Sequence, residues 1–398
     1  MRSAHASTRS LLPPAVVGFC MALAVRATMV LATDANYAFD GFQRWAGRDH
    51  LLIQQWLPLT QSVIVAVAEL GGGVTETRLA LSLVAAFATA AGCVLAGRIG
   101  GRVAAWAFLV PASYGPFLVW GAAMYQEATF LLVLFGALAL ALSNRLLLAD
   151  LAMGLLALVR YEGWPCVALY VLWRRDPRAL VALWGAAVWV FVRAGLDVPT
   201  YAASPVDFDD WEGLRARTTL TSWANDAARL FTVAWMSGAI AYAVAACIAL
   251  RAAWRRRGMV LLGLIGLGQV AAVSGWLAGL ETATHRMLVV PAGIAGVLGA
   301  VGAGVLWDRF PRVVRLGLVI YALSMIGVGN WDGWKTLRNE AGRLGPERTL
   351  HARIVARPDC EWRVTPRESL GTRSRHDGCE ILQGQGFPRH GDGFWCMT

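Results

Sequence analysis

Apolar runs of roughly 17–22 residues recur along the chain from Pro14 to Gly329, and this recurrence constrains the fold more than any other feature. One such run fits a buried core helix in a soluble protein. A series of them fits a lipid solvent, in which each segment satisfies its own backbone hydrogen bonds as a helix. Composition agrees: 57% of the 398 residues are hydrophobic and 16% charged, against about a quarter charged in soluble domains. The formal charge of +10 comes almost wholly from arginine, with Lys335 the only lysine. These arginines sit at the ends of apolar runs, and no separate basic domain with interleaved aromatics exists. That excludes a nucleic-acid partner and leaves the lipid bilayer as the first one. The Arg- and Ala-rich bias suggests a GC-rich bacterial genome.

The first run covers residues 15–32 behind a basic N-terminus, Arg2 and Arg9. Arg26 would spoil the apolar core of a signal peptide, so the run is expected to be a retained span. An arginine within a span faces protein or a polar cavity. Residues 34–78 form a loop containing Trp56-Leu57-Pro58-Leu59-Thr60-Gln61, then an apolar run ending at Glu69 that is too short to cross lipid. It is expected to be an interfacial or re-entrant helix. Further spans are expected at 79–97, 103–120, 125–142, 146–159, 163–173, 179–195, 229–250, 258–279, 287–306 and 313–329. With the first, the expectation is an all-α polytopic bundle of about eleven helices. Only 28 residues separate Arg145 from Arg174, too few for two full spans. Two half-length helices meeting at Arg160-Tyr161-Glu162-Gly163 fit better, and such breaks are tolerated where they line protein or a cavity.

Loop charges alternate. Arg98/Arg102, Arg145, Arg174/Arg175/Arg178, Arg251/Arg255/Arg256/Arg257 and Arg309/Arg312/Arg315 mark one side; Asp34/Asp40, Glu127, Glu162, Asp207/Asp209/Asp210/Glu212 and Glu281 mark the other. The arginine-rich side, with the N-terminus, is expected to be cytoplasmic. Eleven spans then put the C-terminus outside. The chain divides into a transmembrane module, 1–329, and a small polar extracytoplasmic tail, 330–398. Of seven cysteines, Cys360, Cys379 and Cys396 lie in that tail, where two of the three can pair in an oxidising compartment. No internal repeat and no Walker, Rossmann or zinc-protease motif is present, which disfavours a nucleotide-driven pump or an intramembrane metalloprotease.

The candidate chemistry lies on the acidic side. Asp40, in Ala38-Phe39-Asp40-Gly41-Phe42-Gln43-Arg44-Trp45, follows the first span. A carboxylate at a membrane surface among apolar neighbours suits a general base; the plainer role is a solvated loop acid. Asp34 and Arg44 are polar candidates in the same loop. Glu127 opens the 125–142 span, where a helix N-terminus favours an anion. It shares a side with Asp40, so one cavity can hold both, and the pair could bind a divalent cation such as Mg or Mn or divide base and positioning roles. Arg160 and Glu162 at the hairpin apex either pair with each other or form part of a site. His285 and Arg286 stand on the acidic side against the charge trend, where a guanidinium suits phosphate; interfacial snorkelling is the alternative.

Taken together, these segments resemble the GT-C-type integral membrane glycosyltransferases, the superfamily of protein O-mannosyltransferases and lipid A aminoarabinose transferases. The features that carry the resemblance are Asp40 after the first span, Leu57-Pro58-Leu59-Thr60-Gln61, Met124-Tyr125-Gln126-Glu127, and Gly154-Leu155 followed by Arg160-Tyr161-Glu162-Gly163. Arg286-Met287-Leu288-Val289-Val290-Pro291 completes the set. The resemblance spans about residues 15–330. It implies a polyprenyl-phosphate sugar donor, a lipid, glycan or protein acceptor, Asp40 as base, Glu127 as second acid, and Arg160, His285 and Arg286 near the donor phosphate. Two positions depart from the pattern: Gly41 follows Asp40 where a second acid is usual, and Met287 follows Arg286 where an aromatic is usual. A transporter or lipid flippase is the competing reading, since it also needs intramembrane charge. A non-catalytic assembly subunit is the third.

Overall fold

The computed structural model describes residues 8–32, 44–45, 48–52, 57–113, 117–118, 121–195, 251, 258–277, 289–307 and 309–343, and four two-residue strands in the tail. Its helices are α1 (Thr8–Ala32), α2 (Pro58–Glu69), α3 (Val74–Gly100), α4 (Arg102–Ala107), α5 (Leu109–Ala112), α6 (Glu127–Leu142), α7 (Leu146–Leu156) and α8 (Gly163–Arg174). A 3-10 segment, Pro177–Leu183, leads into α9 (Trp184–Gly195). Then come α10 (Met259–Leu277), α11 (Val289–Trp307) and α12 (Arg312–Arg343). Each expected span with described residues contains helix; 229–250 lies outside them. The architecture is an all-α membrane bundle. The strands pair antiparallel, Glu361–Trp362 with Cys396–Met397 and Val364–Thr365 with Glu380–Ile381.

Among the described residues, four helices are long and apolar enough to cross a membrane: Ser10–Ala32, Val74–Gly100, Val289–Trp307 and Arg312–Trp331. Shorter apolar helices account for most of the rest. The short run ending at Glu69 is the 12-residue α2, with Pro58 at its first position, where a missing N–H costs nothing. The expected half-helices are α7 and α8, joined by the turn 157–162.

Two expectations need correcting. The run 103–120 is not one helix but α4 and α5, with a break at Phe108. Pro111 lacks the N–H that would bond back to residue 107, so the helical ladder cannot run through. The run 179–195 begins as the 3-10 segment, capped by Asp176, whose carboxylate accepts from the Arg178 N–H at 3.0 Å. The last expected span stands close to its bounds, as Arg312–Trp331, while its helix continues to Arg343. Loss of hydropathy ends a span, whereas a helix ends only where its backbone is broken; Gly345-Pro346 follows closely.

α3 is the central helix. It packs on α1, α4, α6 and α11, burying Leu81, Ala85, Ala88, Cys93, Leu95 and Ala96. Small residues let the helices approach closely, as in lipid-embedded bundles generally. Phe108 meets Phe135 edge to face at 5.9 Å. α12 lies at the periphery with its apolar side chains exposed, Val313 at 82% and Leu323 at 64%, as befits a helix facing lipid.

The bundle has two chemically different ends. Arg78 and Arg98 lie 20 residues apart on α3, about 30 Å along a helix axis, the thickness of a hydrocarbon core. Arg78 donates to the carbonyls of Val30 and Ala122, which puts the end of α1 and the start of α6 beside it. Gly97 packs against Leu11 and Gly100 against Val301, so the start of α1 lies with the arginine-rich loops at the opposite end.

Candidate functional site

The acidic end holds a buried ion cluster. Arg160 Nη1 donates to Glu127 Oε1 at 2.5 Å, while its Nη2 and Nε donate to the two oxygens of Glu162 at 2.7 and 3.2 Å. Glu127 is fully buried, Arg160 is 9% exposed and the Glu162 side chain 19% exposed. The cluster therefore runs from the interior to a rim, where Tyr161 is exposed. Glu127 is the first residue of α6, so the helix N-terminus adds to the stabilisation of its carboxylate.

Local backbone shape brings these groups together. α7 ends at Leu156, and the chain turns through 157–162 into α8. A methyl group added at Gly163 would stand 2.5 Å from the Leu156 carbonyl, so only glycine lets the turn close. A methyl at Gly154 would overlap the Trp184 indole, which instead donates to the Leu151 carbonyl at 3.0 Å. Both glycines of the 154–163 motif are thus packing requirements, and its arginine and glutamate form the ion cluster.

The short helix α2 seats on this turn. The Leu59 N–H, which has no partner within α2, donates to the Leu158 carbonyl at 3.0 Å. Leu57 buries against Leu158 and Trp189. Gln61 Nε2 donates to the Arg44 carbonyl at 3.0 Å, and fully buried Arg44 donates to Gln126 Oε1 at 2.7 Å, next in sequence to Glu127. Leu57-Pro58-Leu59-Thr60-Gln61 therefore ties the loop bearing Arg44 to the ion cluster.

Two more buried arginines organise the backbone before Glu127. Arg26 donates to the Phe117 carbonyl at 3.1 Å and Arg78 to the Ala122 carbonyl at 2.9 Å. Ser82 adds a long contact to the Gly121 carbonyl. Irregular backbone at membrane depth needs such donors. Arg26 and Glu127 also line one small cavity of about 30 Å³, walled by Phe108, Phe117 and Leu131, with room for one water.

Of the residues singled out in the sequence, Glu127, Arg160 and Glu162 meet, with Arg44 adjacent. Asp34, Asp40, His285 and Arg286 lie outside the described residues. Arg160 and Glu162 do pair, as the plainer reading of the hairpin allows, and Glu127 joins them. Among the described residues no three His, Cys, Asp or Glu side chains gather as a metal site. The carboxylates of Glu127 and Glu162 converge on a guanidinium, which already supplies positive charge between them. Sequence reasoning passed over Arg78, which reads as the polar flank of a span, and Gln269 and Asp150, single polar residues inside apolar runs. The last two carried the general signal of an intramembrane polar group. Asp150 accepts from Tyr170 at 2.7 Å and Arg174 at 2.6 Å at the other end of the bundle, joining α7 to α8.

The fold has counterparts among solved structures. It is similar to the crystal structure of ArnT from Cupriavidus metallidurans in the apo state, with a TM-score of 0.52 and 15% identity, over 91% of this chain and 83% of that one. It is likewise similar to ArnT from the same organism bound to undecaprenyl phosphate, with a TM-score of 0.50 and 16% identity over the same shares. No protein-family model matches the sequence, and no curated protein matches it significantly.

Proposed function

We propose that the protein is a polyprenyl-phosphate-dependent membrane glycosyltransferase of the bacterial inner membrane. In this reading its N-terminus is cytoplasmic, its C-terminal tail extracytoplasmic, and its site lies at the outer face. The observation that carries the reading is the Glu127–Arg160–Glu162 cluster beneath an interfacial helix, in a fold shared with a protein solved with undecaprenyl phosphate. Four buried arginines, Arg26, Arg44, Arg78 and Arg160, stand at this end beside Glu127 and Glu162. A surplus of guanidinium suits an anionic donor.

In the proposed reaction an acceptor hydroxyl or amine attacks the anomeric carbon of the donor sugar and loses its proton to Asp40. The bond from that carbon to the phosphate oxygen breaks, and polyprenyl phosphate leaves with the bonding pair. Arg286, with His285 and the outer edge of Arg160, offsets the charge that develops on the leaving phosphate. Glu127 and Glu162 hold the Arg160 guanidinium in a fixed orientation, and Arg44 braces the loop that carries Asp40. Where a divalent cation is used, Asp40 with Glu127 is the pair that would hold it, and it would add charge neutralisation at the phosphate.

The test is transfer of radiolabelled sugar from polyprenyl-phosphate donors in membranes containing the native protein or Asp40→Asn. Transfer by the native form and none by the equally abundant variant is expected. Transfer by both removes Asp40 from the mechanism. No transfer from any donor, with the native protein folded, overturns the transferase reading in favour of transport or a non-catalytic role.

A further inference from the structure

We propose that Gln269, on α10, is a positioning residue that sets the depth and orientation of the Arg160–Glu162 turn. The proposal rests on the transferase reading above. α10 is almost wholly apolar, and an amide in its interior is expensive in lipid unless it is fully bonded. Gln269 is 4% exposed. Its Nε2 donates to the Glu162 carbonyl at 3.0 Å and to Cys166 Sγ at 3.3 Å. The Cys166 thiol in turn donates to the same Glu162 carbonyl at 3.2 Å.

That carbonyl belongs to the residue capping the start of α8, whose side chain grips Arg160 through two hydrogen bonds. Gln269 is therefore linked to the cluster through a single backbone unit, the Glu162 carbonyl. The link joins residues 107 apart in sequence. It is a long-range polar tie from α10 to the turn, and in sequence α10 leads on toward His285 and Arg286. One amide thus connects the helix preceding the proposed phosphate-binding arginine to the carboxylate that orients Arg160. Small misplacements of such groups cost rate out of proportion to their energy.

The experiment uses the full-length protein in detergent, comparing native, Gln269→Leu, Glu162→Gln and the double variant. Two readouts are taken: kcat and KM for sugar transfer, and hydrogen exchange at the Gly163 and Trp164 amides, which close the turn onto Arg160 and Tyr161. Gln269→Leu is expected to lower kcat by roughly 10- to 100-fold with little change in acceptor KM, and to speed exchange at those two amides. In the Glu162→Gln background the same substitution is expected to cost less than about 3-fold, because it acts through Glu162. Unchanged exchange, unchanged kcat or full additivity with Glu162→Gln each overturns the proposal. If the native protein transfers no sugar, the transferase reading fails, and the exchange result alone decides whether Gln269 holds the turn: unchanged exchange refutes it.

Discussion

Replacing Arg160 with methionine tests the central geometry most directly. The substitution keeps much of the apolar stem and removes the charge that two carboxylates share. At a charge separation of roughly 4 Å and an effective dielectric of about 20, each pair is worth about 4 kcal/mol before desolvation. Glu127 is the partner that matters, because it is fully buried whereas the Glu162 side chain reaches the rim. Breaking a buried pair from one side costs about 3–5 kcal/mol, since the remaining charge is stranded. Glu127→Gln should be milder, about 1–3 kcal/mol, because Arg160 keeps both hydrogen bonds to Glu162. The Arg160→Met/Glu127→Gln double variant should be more stable than Arg160→Met alone, with a coupling of roughly 2 kcal/mol or more. Thermal unfolding in detergent, followed by tryptophan fluorescence, measures this cycle. Additive effects, or an Arg160→Met variant no weaker than Glu127→Gln, would refute the claim that Arg160 neutralises a buried Glu127.

Two further outcomes follow from packing and from the other end of the bundle. Gly154→Ala should destabilise the protein by about 1–3 kcal/mol, since the added methyl meets the Trp184 indole; the melting temperature of the purified protein checks this, and no change would mean that α7 and α9 can separate freely. Asp150→Leu should cost about 1–3 kcal/mol, since Arg174 loses its 2.6 Å partner but keeps Tyr170 and, at 3.5 Å, Asp176. Its transfer rate per folded molecule should stay near native, because the Asp150–Arg174 pair lies at the end away from Glu127; a rate loss above about tenfold, a 1.4 kcal/mol effect on the barrier, would contradict that separation.

How far the candidate site could be read in advance differs residue by residue. The hairpin at Arg160-Tyr161-Glu162-Gly163 was legible because 28 residues cannot make two full spans. Glu127 was legible as the acid that opens an apolar run. Their meeting was not, since Arg160 and Glu127 are 33 residues apart and nothing local aims one at the other. Arg26 was legible as a span arginine facing protein or a polar cavity, but not that it donates to two carbonyls, Ala22 and Phe117.

What the chain's order of residues determines by itself is the membrane bundle: where helices run, which are short, and which ends carry arginine. Lipid makes these local questions, because a segment in hydrocarbon must close its own hydrogen bonds and bring its own apolar surface. What only the tertiary structure decides is the partner of each buried polar group. Arg44 meets Gln126, Arg78 meets Ala122 and Gln269 meets Glu162 across separations of 82, 44 and 107 residues. Such pairings depend on which helix faces which, and that is fixed by close contacts such as Gly154 with Trp184 and Leu57 with Leu158, not by any pattern along the chain.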